Sequence, residues 1–450
     1  MRYHIFLVKR LQKQAKTIII MYNKINRGLM DYPKFFSDLK TLISFKSVLG
    51  KAQENAPFGI ENKKALEFFL SLAKDFGFEC INYDNYGGEF YYGEGEEVGI
   101  IGHLDVVPVG LGWNTDPFTL TEIDNVLYGR GTEDDKTPCL LCLYALKELK
   151  DEGVKFNRKI RFFVGCNEET GWKDVEYMKT KTTFPVYGFS PDSNFPVCYA
   201  EKGIYRLRIN LPKFKHFKNL KGGTATNAVC DYASVEADSC AIDSDLLNKY
   251  NLKLTDGLIE SFGVPAHGAY PEKGKNAFAP LLKYMEDMGE ELFSISTLLF
   301  DDGLGLSSLV NEQGAVTLSP NVIIKEDGGD ILVCDCRVPA PFTKNTVYPY
   351  FEKIKLPYTL IEVNEPFMAD KGGWLVNALL SAYNEVTGET ALPVAQRGST
   401  FARVFKVGCG FGFGDDNGTK GCHEANESIT ISHLKKSYEI YKKAIYNLVK

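Results

Sequence analysis

The stretch IGHLDVVPVG, residues 101–110, decides how the rest of the chain is read. Val98, Gly99 and Ile100 precede it, so a small and β-branched run leads straight into His103, with Asp105 two positions on and Pro108 breaking the chain soon after. A buried strand that ends in a histidine and a carboxylate must find partners for both, because burying an unpartnered polar or charged group is costly. Two further apolar segments end in the same way. KIRFFVGC (159–166) runs into Asn167, Glu168 and Glu169, and VYGFSPD (186–192) ends on Asp192. In open α/β sheets, sites form at the carboxyl ends of the strands. Three such ends carrying His, Glu-Glu and Asp point to a metal site.

Helical patterns separate these strands. YPKFFSDLKTLISF (Tyr32 to Phe45) and ENKKALEFFLSLAKDFGF (Glu61 to Phe78) have helical apolar spacing, and a third helix follows DDKTP and runs through Lys150. Strand and helix in alternation predict an α/β fold with a mostly parallel, helix-covered sheet. From Glu201 the character changes: EKGIYRLRIN alternates as a strand, and short strands then mix with helices such as NAFAPLLKYMEDMGEELF and NTVYPYFEKI. This predicts an α+β domain, residues 200–371, inserted into a catalytic domain of residues 31–199 and 372–450. A terminal helix with Leu434, Tyr438, Tyr441, Ile445 and Leu448 on one face closes the chain.

Bulk properties narrow the function. The 450 residues are 44% hydrophobic and 24% charged with a net charge of −6, an ordinary globular balance with no basic stripe, so no nucleic-acid partner is expected. The four lysines 213, 215, 218 and 221 read as a solvated face. No run approaches the ~18–20 apolar residues that span a bilayer, so no membrane role is expected. Residues 1–30 carry two short apolar patches split by KRLQKQAK and lack the apolar region of a signal peptide; they read as a disordered extension. The 11 cysteines have no framework spacing, which fits a reducing cytoplasm. Cys139 and Cys142 stand three apart on a helix in PCLLCLYALKEL and read as core.

Histidine nitrogen and carboxylate oxygen are what divalent transition metals take, and a two-metal hydrolytic site is commonly bridged by a carboxylate. The candidates are His103, Asp134, Glu168, Glu169, Asp192 and His423. YGRGTEDDKTP sets Glu133, Asp134 and Asp135 side by side. Such acids repel unless a cation or a basic side chain compensates; the plain alternative is an acidic helix N-terminus. In CNEET one glutamate can bind metal while the other takes a proton from water. GCHEANESI holds His423 in a loop before the last helix, and His267 in GVPAHGAYPEKG falls in the inserted domain, away from the cluster. His4, His216 and His433 receive no role.

With these motifs in order, the sequence resembles the di-zinc aminoacylase/carboxypeptidase-type metallopeptidases, and among them the bacterial dipeptidases. The resemblance runs from about Tyr32 onward and rests on APFG, GHLDVVPVGLGW, DPF, YGRGTEDDKTP, NEETG, PDSNFPVCYAEKG, AHGAYPEKGKNA and HEANE. It implies two zinc ions per chain, with manganese or cobalt as the other candidates. By the same resemblance His103 and Asp192 hold one ion, Glu169 and His423 hold the other, Asp134 bridges them, Asp105 orients His103, and Glu168 is the general base. The inserted domain resembles the family's lid. There His267 is expected to stabilise the oxyanion and Arg337, in CDCRVP, to hold the substrate carboxylate. Asn227 in GGTATNAV, with Ser399 and Thr400 in RGSTFAR, fall where the family lines its substrate pocket. Thr137, Arg397 and Ser399 stand where glycines are usual, and Phe401 where tyrosine is common. The implied activity is hydrolysis of dipeptides by a cytoplasmic monomer acting on small peptides; deacylation of N-acyl amino acids is the alternative for the same ligands.

Overall fold

The computed structural model describes residues 30–326, 329–414 and 421–450. Residues 1–29 of the expected N-terminal extension lie outside the described residues. The chain divides into two units: one comprises the chain up to Val197 with Asp370–Pro393 and Thr400–Lys450, the other Cys198–Ala369 with Val394–Ser399.

In the first unit, helix Tyr32–Ser44 begins where the Asp31 side chain accepts the Lys34 amide at 3.1 Å, and Leu39, Leu42 and Ile43 supply its buried stripe. Helix Ile60–Asp75 follows, then an antiparallel hairpin, Glu79–Tyr83 and Gly87–Tyr92. The hairpin pairs onto one side of a parallel array. In that array Lys159–Gly165 lies beside Glu97–His103, which lies beside Tyr187–Ser190, which lies beside Val407–Gly410. The sheet is therefore mixed, with its four central strands parallel.

These strands read as continuous apolar runs because helices cover both faces. In Glu97–His103 only Glu97 is not fully buried. Helix Lys136–Asp151 has Cys139 through Leu143 all at 0% exposure, so it is apolar around its circumference. It packs against Tyr32–Ser44 and against the terminal helix Ile431–Val449. The C-x-x-C is core, and all eleven cysteines are free. Register fixes where the strands finish: His103 stands opposite Gly165, and Ile100 is level with Phe162 and Phe189. Three consecutive parallel strands thus release their chains on one edge, as His103–Asp105, Cys166–Glu169 and Pro191–Asp192.

The second unit holds two four-stranded antiparallel sheets. One orders Phe217–Gly222, Tyr232–Ala237, Leu258–Phe262 and Lys253–Thr255; the other orders Thr317–Glu326, Gly329–Val338, Gly203–Asn210 and Tyr358–Asn364. Alternation is visible in Gly203–Asn210, where Tyr205, Leu207 and Ile209 are buried and Arg206 and Arg208 face the other way. Helix Phe278–Asp287 adds Phe278, Leu281, Leu282 and Met285 to this unit's core. The fold is α/β with an inserted α+β unit.

Candidate metal centre

His103 ends its strand fully buried. Its Nδ1 lies 3.0 Å from the Asp105 carbonyl oxygen and 3.4 Å from the Asp105 carboxylate. An Nδ1–H donated to that carbonyl leaves Nε2 as the bare nitrogen of the ring, the tautomer a metal ligand needs. The Asp105 carboxylate also accepts the amides of Glu168 at 3.1 Å and Glu169 at 3.2 Å. One acid therefore seats the histidine and the following strand's two glutamates together. Phe401, where the resemblance leads one to expect tyrosine, stands edge-on to the His103 ring at 6.2 Å between centroids.

Asp134 faces two histidines with its two oxygens. Oδ1 lies 2.9 Å from His103 Nε2, and Oδ2 lies 3.1 Å from His423 Nε2. His423 Nε2 is also 3.1 Å from Glu169, and His103 Nε2 is 3.7 Å from Asp192. Ligand atoms of His103, Glu168 and Asp192 lie within 4.8 Å of one another, as do those of His103, Asp134 and Glu169. The cluster fits divalent cations on its own terms. Among the described residues, buried His103 Nε2 and Asp134 Oδ1 have no hydrogen-bond partner although they point at each other. Two acceptors so placed are satisfied by a proton or a divalent cation between them.

Charge says the same. With only protein groups present, burial pushes the Glu168 carboxyl well above the usual range, and Asp192, Glu169 and Asp134 push it further. Burial raises Asp192 and Glu169 too, with Asp134 again adding to each. For His423, burial acts downward, but Asp134 and Glu169 outweigh it and hold the ring at about 11. The protein's own remedy for its crowded carboxylates is to keep protons on them and on the histidines, which is the role a cation takes over.

Four organising residues received no role in the sequence reading. Glu427 is fully buried and accepts the amides of Gly131, Glu133 and Asp134 at 3.0, 2.8 and 3.2 Å, shaping the loop that presents Asp134. Buried Arg130 holds it at 2.6 Å and stacks over Trp113 at 5.3 Å. Asp135 accepts the His103 amide at 3.1 Å, filling with Cys139 the space a side chain at Gly102 would need. Asp174 accepts the amides of Cys166 and Asn167 at 2.7 and 2.8 Å, fixing the turn before Glu168. Glu427 and Arg130 lie inside the motifs HEANE and YGRGTEDDKTP; their opposite charges were the available signal, but their separation along the chain hid the pairing.

The remaining candidates are distributed as follows. Thr400 belongs to the first unit, where its side chain caps the short helix Phe401–Val404 by accepting the Ala402 amide at 3.2 Å. Ser399, partly buried, ends the second unit's segment. Within that unit Ala228 and His267 form a β-bridge, which sets Asn227 beside His267, and the Asn227 carbonyl accepts the Gly268 amide at 2.6 Å. His267 is exposed, and its Nδ1 accepts the Ala269 amide at 3.1 Å, so a neutral ring carries its proton on Nε2. Arg337 is 3% exposed and forks onto Asp335 at 2.9 and 3.0 Å, with a further bond to the Arg397 carbonyl at 3.3 Å. Arg397, where the resemblance leads one to expect glycine, reaches the Ala269 carbonyl at 3.1 Å and Glu272 at 2.5 Å.

Comparison with known proteins agrees with this architecture. Human carnosine dipeptidase 1 shares the fold at a TM-score of 0.57 and 17% identity, over 95% of this chain and 98% of that one. An aminopeptidase from Bacillus cereus ATCC 10987 does so at 0.58 and 15%, over 94% and 100%. In sequence, a Beta-Ala-Xaa dipeptidase of Lactobacillus delbrueckii subsp. lactis is 33% identical over 92% of this chain and 95% of its own length. The model of the family described as Peptidase family M20/M25/M40 matches residues 99–447, from the strand that carries His103 to the last turn of the terminal helix. A buried His-carboxylate cluster at parallel strand ends, within a match of that extent, makes this chain a member of the M20/M25/M40 peptidases, a metal-dependent hydrolase.

Proposed function

We propose that this chain is a dinuclear dipeptidase. One observation carries the reading: the two oxygens of Asp134 face the nitrogens of two different histidines, with Asp192 beside one and Glu169 beside the other. That is the donor set of two cation positions sharing one bridging carboxylate. His103, Asp192 and Asp134 would hold one ion, and His423, Glu169 and Asp134 the other, zinc being the first choice for such a set. Bound there, the ions supply Lewis-acid polarisation of the scissile carbonyl and acidify a water.

Glu168 is the group left to move protons. Its amide is pinned by Asp105, and its carboxyl lies with His103 and Asp192 without being needed as a ligand. Its raised proton affinity suits a base that takes a proton from the attacking water and returns it to the leaving amine. Asp105 keeps His103 in the ligating tautomer. In the inserted unit, we assign His267 as a donor to the developing oxyanion, since its tautomer carries the proton on Nε2. Arg337 and the Asn227 loop would meet the polar ends of the substrate, with Ser399 and Thr400 flanking. The relatives named as dipeptidases support a two-residue substrate; a single chain working in the cytoplasm is part of the same proposal.

The test is a hydrolysis panel. The protein is stripped with chelator, reloaded separately with zinc, manganese or cobalt, and offered dipeptides, tripeptides and N-acetyl amino acids. Metal-restored cleavage confined to dipeptides is expected. Cleavage of N-acetyl amino acids with dipeptides untouched would move the substrate class to N-acyl amino acids.

A further inference from the structure

One side chain beside the cluster has chemistry unlike the rest. Cys422 precedes His423 in the turn that enters the site. Neighbouring side chains usually diverge, but His423 adopts a left-handed conformation, φ 65°, and the turn presents both to one place. The Cys422 sulfur, a His423 nitrogen and an Asp134 oxygen all lie within 4.8 Å of one another. The same corner holds His423 Nε2, 3.1 Å from Asp134 Oδ2 and 3.1 Å from Glu169, while buried His103 Nε2 faces the other oxygen of Asp134 at 2.9 Å. Asp134 is thus shared between a nitrogen-oxygen group and a group that contains sulfur.

We propose that Cys422 is a thiolate ligand of the cation held by His423, Glu169 and Asp134, so that the two cation positions differ in softness. The His103 position offers only imidazole and carboxylate, which suit zinc, manganese and cobalt alike. A thiolate at the His423 position favours zinc or cobalt over manganese. Cation uptake there deprotonates the thiol as the metal–sulfur bond forms, and the proton leaves to buffer. This inference rests on the dinuclear reading above, and the experiment separates the two.

Chelator-treated full-length protein is titrated with cobalt(II) alone, and absorption spectra are recorded for wild type, Cys422→Ser, Cys422→Ala and Cys240→Ser, the last removing the other exposed thiol. A near-ultraviolet sulfur-to-cobalt charge-transfer band is expected in wild type and in Cys240→Ser and absent from both Cys422 variants, while the visible bands of bound cobalt persist in all four. In competition with a chelator, Cys422→Ala should release zinc from one position roughly ten- to hundredfold more readily, with manganese retention unchanged. Visible cobalt bands without a charge-transfer band in wild type, or a charge-transfer band that survives both Cys422 changes, overturn the thiolate ligand and leave the two-cation reading standing. Failure of wild type to take up cobalt at all overturns both.

Discussion

Two buried charged clusters in this chain resolve their charge in opposite ways. In the inserted unit, Asp335 is fully buried between two guanidiniums, with Arg337 forking onto it at 2.9 and 3.0 Å and Arg206 at 2.9 Å. Arg206 also reaches Glu362 at 3.4 Å, so two cations meet two anions. At the strand ends of the first unit, Asp134, Glu168, Glu169 and Asp192 crowd around His103 and His423, and among the described residues no lysine or arginine ion pair with these four acids is found. The first cluster is complete with protein groups; the second is complete only with a ligand of positive charge. Buried charge that is balanced internally calls for no cation, and buried charge that is not balanced does.

The strongest way to break this comparison is to remove the cations. Chelation should abolish turnover and lower the thermal midpoint, with both restored on reloading, since a ligand that binds only the folded state stabilises it by mass action. An unchanged midpoint would show that the strand-end cluster balances itself. Next, Glu168→Gln should lower kcat by about 10²–10⁴-fold, the usual contribution of a positioned acid-base group, with two cations per chain still counted by elemental analysis. Loss of the ions along with the activity would reassign Glu168 as a ligand.

Glu427→Ala leaves Arg130 buried with no carboxylate and frees three loop amides. Breaking such a pair costs about 3–5 kcal/mol, read as a lower denaturant midpoint, and the double variant Arg130→Met/Glu427→Leu should recover part of it. In the inserted unit, Arg337→Lys loses the fork but leaves Asp335 with Arg206, so a smaller cost of about 1–3 kcal/mol is expected, equal with and without chelator, alongside a raised KM if Arg337 meets the substrate.

The smallest effect is a pH dependence. In chelated protein His423, held at about 11 against an ordinary 6.5, contributes stability that is full below pH 6.5 and is lost as the pH rises towards about 11. Its side chain is 46% exposed, so solvent screening keeps this contribution modest. Cation binding must displace that proton, so apparent affinity should climb with pH and calorimetry in buffers of different ionisation enthalpy should register proton release. Affinity flat between pH 6 and 9 would contradict it.

The central strands and the helix beside them were legible because each carries its own apolar pattern. The Glu97–His103, Lys159–Gly165 and Tyr187–Ser190 strands stand within a residue or two of the segments the sequence marks, and so does the helix after DDKTP. The edge hairpin Glu79–Tyr92 and the short strand Val407–Gly410 were not marked. Their residues, among them Gly87, Gly88, Gly408 and Gly410, give a weak apolar pattern, and only pairing with strands distant in sequence makes them strands. NAFAPLLKYMEDMGEELF reads as one helix but stops at Asp287, where Gly289 takes a left-handed conformation, φ 91°, and a second helix begins only at Ile295.

By itself, then, the sequence determined the α/β class, the inserted unit and the residue types of the site, because hydrophobic period and a histidine or acid at a strand end are local properties. Tertiary structure alone decided which atoms each carboxylate faces. Asp105, Asp134, Asp135, Asp174, Glu168, Glu169 and Glu427 are chemically alike in sequence. Asp134 is set apart by facing two histidines, and Glu427 and Asp174 by accepting loop amides. Those differences arise from parallel strand register and from loops that meet across hundreds of residues, which no local pattern encodes.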